Sequence, residues 1–171
     1  MLRGTLKRKR DYLCSENLQK YGRRSHPSIL FILSKFSKRN KKNHINIQTM
    51  SETIDTKVLL KEITEAIQEK KGKGIVIADL TKLGNTICDY FVICNGNSPT
   101  QVSAITDSVE YMVKKATGYR PIAIDGLRNA QWVAMDYGEV LVHIFMPETR
   151  EFYDIDHLWA DAKLEFIPDL D

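Results

Sequence analysis

Two adjoining segments constrain the fold of this chain more than any others. In the strand from Ile87 to Asn95, which contains DYFVICN, both alternating faces are mostly apolar: Cys88, Tyr90, Val92 and Cys94 on one side, Asp89, Phe91 and Ile93 on the other. A strand apolar on both faces belongs in the middle of a sheet. Three residues after it, Ser98 supplies an N-cap hydroxyl, Pro99 a first helical position, and Gln101 completes a capping box. Val102, Ile105, Val109, Met112, Val113 and Ala116 then form one apolar stripe, and Gly118 stops the helix.

The flanking text fills in the rest. Lys57 to Lys71 places Leu59, Ile63, Ala66 and Ile67 at helical spacing and ends at Gly72, which suits a left-handed C′ position. IVIADL (75–80) reads as a short buried strand, followed by a polar loop and the second strand from Ile87 to Asn95. PIAIDG predicts another strand, and 132–136 with 139–145 an antiparallel hairpin turning at Tyr137-Gly138. A last helix spans Thr149 to Ala162, with FIPDLD a loosely ordered tail. The order is α-β-β-α-β-β-β-α: an α/β (α+β) fold with a mixed sheet of about five strands and three helices.

Charge divides the chain in two. Residues 1–49 hold 13 of the 25 Lys/Arg and two of the 22 Asp/Glu, a local net of +11; residues 50–171 hold the rest, a net of −8. A basic leader thus precedes one acidic domain at 50–171. The leader clusters its charge at 7–10, Arg23-Arg24 and 38–42 around one apolar patch, SILFIL. Three readings fit it: an over-long gene model with the true start at Met50, an organellar transit peptide, or an RNA-gripping tail. The first is favoured, because Met50-Ser51-Glu52-Thr53 reads like an ordinary bacterial start. The longest apolar run, Ile29 to Leu33, is far too short for a membrane span. Cys14, Cys88 and Cys94 form no CxxC pair, and the last two read as reduced, buried thiols.

Catalytic readings find little support. Nucleotidyl transfer needs a Gly-Ser turn under a triphosphate and paired carboxylates for a divalent metal. Gly96-Asn97-Ser98 resembles the turn, but a plain helix start over Gly96 to Gln101 is the favoured reading. Asp125 and Asp136 sit on different strands without a second acid nearby, and Asp154 and Asp156 point to different sides of a helix. His143, on the face of Leu141 and Phe145, reads as a core or interface histidine; His157 lies among acids. Gly72-Lys73-Gly74 lacks the rest of a P-loop. No cofactor or metal site is expected, and the domain reads as a binding protein.

A binding face is easier to find. Trp132, Ala134 and Asp136 share one face of their strand, and Val133 and Met135 the other. The Val/Met face suits the helices; a face with an indole and a carboxylate is expected at least partly open to solvent, as a hot spot. On the last helix Phe152, Ile155 and Trp159 form a core stripe, leaving Tyr153 outward beside Asp154, Asp156 and Asp161. Such an acidic, aromatic-studded surface complements a basic protein and would repel nucleic acid.

The same segments carry a resemblance. DYFVICNGNS with Gln101-Val102 following, the acid before Gly126, Trp132, Asp136-Tyr137-Gly138, VHIF, and RExYxxxxLW from Arg150 together resemble the Iojap-like ribosomal silencing factor family. The resemblance implies a nucleotidyltransferase-like fold without the catalytic carboxylates. It also implies binding to the large ribosomal subunit through its fourteenth ribosomal protein, blocking subunit joining when nutrients are scarce. By position it assigns Trp132, Asp136 and Tyr153 to that interface, with Asp125, Tyr137 and Arg150 in support; Asp125 stands where the family usually has Glu. Homodimers occur in the family, as do organellar members, although the bacterial cytoplasm is expected here. On this reading Trp132→Ala abolishes ribosome binding and leaves the fold intact. The rival expectation is a residual nucleotidyltransferase or nucleotide-binding protein.

Overall fold

Helix and strand boundaries follow local chemistry. The computed structural model describes residues 55–83, 86, 88–154, 156 and 162–170; the leader at 1–49, Ile87, Ile155, His157, Trp159 and Asp161 lie outside them. The elements in order are α1 (Thr56–Glu69), β1 (Lys73–Asp79), β2 (Tyr90–Asn95), α2 (Pro99–Thr117), β3 (Ala123–Asp125), β4 (Trp132–Asp136), β5 (Val140–Phe145), α3 (Pro147–Tyr153) and β6 (Lys163–Ile167). The sheet runs β3-β4-β5-β2-β1-β6, with β2 and β5 parallel and every other pair antiparallel. The doubly apolar strand is therefore central, as its two faces require.

The α2 start forms as its four residues dictate. Ser98 Oγ accepts from the Gln101 amide at 3.1 Å, and Gln101 Oε1 accepts from the Asn97 amide at 2.7 Å. The Gln101 amide group also donates to the Lys70 and Lys71 carbonyls at 2.9 and 3.0 Å, tying the end of α1 to the start of α2. The two helices bury Leu59, Ile63 and Ile67 against Val102, Ile105 and Val109 and lie on one sheet face with Val92, Val133, Met135 and Ile144. Burying each such side chain stabilises by roughly 1.5–3 kcal/mol. The opposite face carries a second core: Ala78, Phe91, Ile93, Trp132, Ala134, Leu141 and Phe145.

Four expectations are corrected. The sheet has six strands, because Lys163–Ile167 pairs antiparallel with β1; Phe166 and Ile167 belong to that strand, not to a loose tail. The tail beyond it is pinned as well: Asp169 Oδ1 accepts from the Gly74 amide at 2.8 Å. The last helix does not run unbroken from Thr149 to Ala162: α3 starts at Pro147 and ends at Tyr153, where Asp154 turns left-handed at φ 48° and its amide bonds back to Arg150, a conformation a short polar side chain tolerates. At the end of α1 the left-handed residue is Lys71 (φ 54°), not Gly72. Gly72 is needed for another reason, because a Cβ there would meet Ile67 Cγ2 at 2.5 Å. On α2 the stripe is buried only as far as Val113; Met112 is half-buried and Ala116 exposed.

Candidate functional site

Strand register assembles the predicted residues. Trp132 stands opposite Phe145, Ala134 opposite His143 and Asp136 opposite Leu141, while β3 sets Asp125 opposite Ala134. Directly paired residues share a face, so Trp132, Asp136 and Asp125 all lie on the sheet side away from α1 and α2. Val133 and Met135 face the helices as expected.

The expectation of an open Trp/Asp face is overturned. Trp132 is 5 % exposed and Asp136 2 %. The indole N–H and one carboxylate oxygen of Asp136 are hydrogen-bonded internally, which weakens the reason to expect solvent there. The indole N–H donates to His143 Nδ1 at 3.2 Å, and Asp136 Oδ1 accepts from the Gly138 amide at 2.7 Å, closing the hairpin turn. Trp132 stacks on Phe145 with centroids 5.0 Å apart. Trp132→Ala would therefore not leave the fold intact.

His143 is the polar centre of this layer. It is fully buried, with Phe91 edge-on at 5.1 Å. Because Nδ1 accepts the indole proton, the neutral ring carries its own hydrogen on Nε2, which has no hydrogen-bond partner among the described residues. Burial lowers its pKa to about 3, against a smaller opposing pull from Asp156. A neutral histidine held this way is a packing and positioning group, not a proton carrier near neutral pH.

Tyr153 and Phe152 exchange the places expected of them. Tyr153 is half-buried with its ring 5.2 Å from Trp132, whereas Phe152, expected in the core, is 62 % exposed and meets Tyr153 edge-on at 5.1 Å. α3 ends at Tyr153, directly after Phe152, and Ile155 and Trp159 of the expected stripe lie outside the described residues. Local sequence offers no signal for this beyond the adjoining Phe-Tyr pair.

Arg150 turns inward. Its guanidinium clasps Asp156 through Nε (2.8 Å) and Nη2 (2.7 Å), and Nη1 reaches the Gly74 carbonyl (2.7 Å) and Asn95 Oδ1 (3.0 Å). One side chain thus fixes α3 against the ends of β1 and β2. Asp125 is half-buried beside Gly126, whose φ of 94° and whose closeness to the Trp132 carbonyl admit no Cβ. Tyr137 lies on the helical side, packed at the first core; its hydroxyl is buried without a partner among the described residues, and burial raises its pKa. The structure thus joins Trp132, Tyr153, Asp125 and Asp136 in one layer, sets Arg150 behind α3, and leaves Tyr137 on the other side.

For chemistry the layer offers little. Asp136 is committed to its turn, and among the described residues no cluster of three His, Cys, Asp or Glu could hold a metal ion. At the start of α2, the Asn97 and Gln101 amides that a phosphate would need are taken by side chains of the same turn. Cys88 and Cys94 are buried free thiols, and burial pushes Cys94 up to about 12. No described helix is long and apolar enough to cross a membrane.

Comparison with known proteins places this architecture. A family model described as "Ribosomal silencing factor during starvation" matches residues 52–171. The ribosomal silencing factor RsfS of Zymomonas mobilis is 36% identical over 109 residues, 63% of this chain and 80% of that protein. The mouse protein named "Mitochondrial assembly of ribosomal large subunit protein 1" is 36% identical over 77 residues, 42% of this chain and 32% of its own. A crystal structure of a Chromobacterium violaceum protein matches with a TM-score of 0.60 at 32% identity, over 67% of this chain and 94% of that one. This chain belongs to the ribosomal silencing factor family.

Proposed function

We propose that the domain binds the large ribosomal subunit at its subunit-joining face and keeps the small subunit from docking. The contact is with the fourteenth protein of the large subunit, and the outcome is reduced translation when nutrients are scarce. The observation that carries this reading is the match of residues 52–171 to a family of starvation silencing factors, which spans every element of the fold. The name of the mouse relative favours the large subunit as the partner. The net charge of −8 on residues 50–171 adds a physical reason: such a surface is steered toward a basic protein and away from bare phosphate.

Occlusion needs residence rather than turnover. A nanomolar complex is worth roughly 12 kcal/mol, enough for one bound domain to exclude a competing subunit. Tyr153 and Asp125 reach the contact surface. Trp132, Asp136 and Arg150 shape it from behind, and Tyr137 holds the turn that presents it. The protein works where ribosomes assemble, in the cytoplasm of a bacterium, as its relative in Zymomonas mobilis suggests.

Sedimentation of the full chain with separated subunits tests this. Comigration with the large subunit alone is expected; comigration with neither subunit, or with the small one, would refute it. Nucleotide binding at Gly96–Ser98 has no comparable support, since the amides there are already engaged. Calorimetry with nucleoside triphosphate and Mg²⁺ is expected to show no saturable heat.

A further inference from the structure

With Trp132 sealed away, the contact surface needs another anchor, and the geometry of α3 supplies one. We infer that Phe152 is the side chain that enters the partner, and that its receiving surface is a shallow apolar notch ringed by Lys and Arg on a folded protein. This rests on the reading of the domain as a large-subunit binder and names the residue and partner chemistry within it.

Phe152 ends a column of rings that runs from the core to solvent. Phe145 stacks on Trp132 at 5.0 Å, Trp132 meets Tyr153 at 5.2 Å, and Tyr153 carries Phe152 edge-on at 5.1 Å. A braced ring loses less freedom on binding than a loose one, which is how preorganisation raises affinity. The helix that bears it is held as well: the Met146 amide donates to the Gln131 carbonyl at 2.9 Å, and Arg150 clasps Asp156, Gly74 and Asn95. Trp132 is then a positioning residue, acting on the partner through Tyr153.

Charge selects the partner. The one cation of α3, Arg150, is turned inward, while Glu148, Glu151 and Asp154 are exposed around Phe152. Glu148 lies one helical turn before Phe152 on the same face. An aromatic ringed by carboxylates fits an apolar site ringed by cations, with the rim governing association rate and salt dependence. Phe166 is also exposed, at 71 %, but it lies on β6 at the far edge of the sheet.

Binding of the full chain to purified large subunits, titrated at low and high salt, tests the inference. Phe152→Ala is expected to weaken binding about 30-fold, the loss typical of a hot spot, without moving the thermal midpoint. Glu148→Gln with Glu151→Gln is expected to weaken binding at low salt and flatten its salt dependence, while Phe166→Ala changes nothing. Wild type that binds while Phe152→Ala stays within about threefold of it overturns the inference and leaves the large-subunit reading standing. A loss at Phe166 instead also overturns it. Wild type that binds no large subunit overturns both.

Discussion

Replacing Trp132 by alanine should unfold much of the second core, and the size of the effect can be worked from its contacts. The ring is 5 % exposed, stacked on Phe145 and beside Tyr153. Truncating a buried tryptophan to alanine costs about 3–5 kcal/mol in lost transfer and cavity terms. His143 Nδ1 also loses its donor at 3.2 Å, leaving a buried acceptor unsatisfied at about 1–3 kcal/mol. Half-buried Tyr153 can lean into the space and recover part of this. A net loss of about 4 kcal/mol results, a large share of the 5–15 kcal/mol typical of a domain. Urea titration followed by far-ultraviolet circular dichroism measures it, with Trp132→Phe alongside. Phenylalanine keeps the stack and loses the N–H, so its cost should be about 1–2 kcal/mol. A Trp132→Ala cost below about 1 kcal/mol would refute the reasoning, because only a ring near solvent is removed so cheaply.

Three further outcomes follow from the same contacts. His143 is held neutral down to about pH 3 in the folded state against an ordinary value of 6.5, so the unfolded chain binds the extra proton between those values. The stability this contributes is complete above pH 6.5 and falls as pH drops toward 3, by up to about 1.4 kcal/mol per unit. His143→Gln, measured by denaturation across that range, should flatten the profile, and parallel profiles would contradict it. Gly126→Ala adds strain at φ 94° and overlaps the Trp132 carbonyl oxygen; a cost of roughly 3 kcal/mol or more is expected from equilibrium melts. Arg150→Lys cannot reproduce the fork on Asp156. A double-mutant cycle with Asp156→Asn should give a coupling of about 1–2 kcal/mol, discounted for partial exposure, and zero coupling would argue against the clasp.

What the sequence made legible was whatever local chemistry decides. Ser98, Pro99 and Gln101 announce α2, and the doubly apolar run announces a central β2, because capping and periodicity act within a few residues. The failures have two sources: partners on other elements, and a local turn that the sequence permits without requiring. An indole and a carboxylate on one face suggested solvent, yet His143 lies eleven residues from Trp132 and satisfies the indole from the neighbouring strand. Lys163-Leu164-Glu165 carries too much charge to read as a strand; β1 recruits it to the sheet edge, where charged side chains remain in water. Asp154 breaks the last helix with a left-handed residue that an aspartate permits but does not demand. Next to that break Phe152 is exposed and the Tyr153 ring lies 5.2 Å from Trp132. The structure thus buries the tryptophan expected at the surface and exposes the phenylalanine expected in the core.

The most direct measurement is subunit joining followed by light scattering, with the full chain added to purified large subunits before small subunits. Steric occlusion predicts that whole-ribosome formation falls linearly with added protein and ends at one chain per large subunit. Phe152→Ala should shift that curve to higher concentration. Unimpaired joining on large subunits that carry the bound protein would contradict the account, as would full inhibition at catalytic amounts.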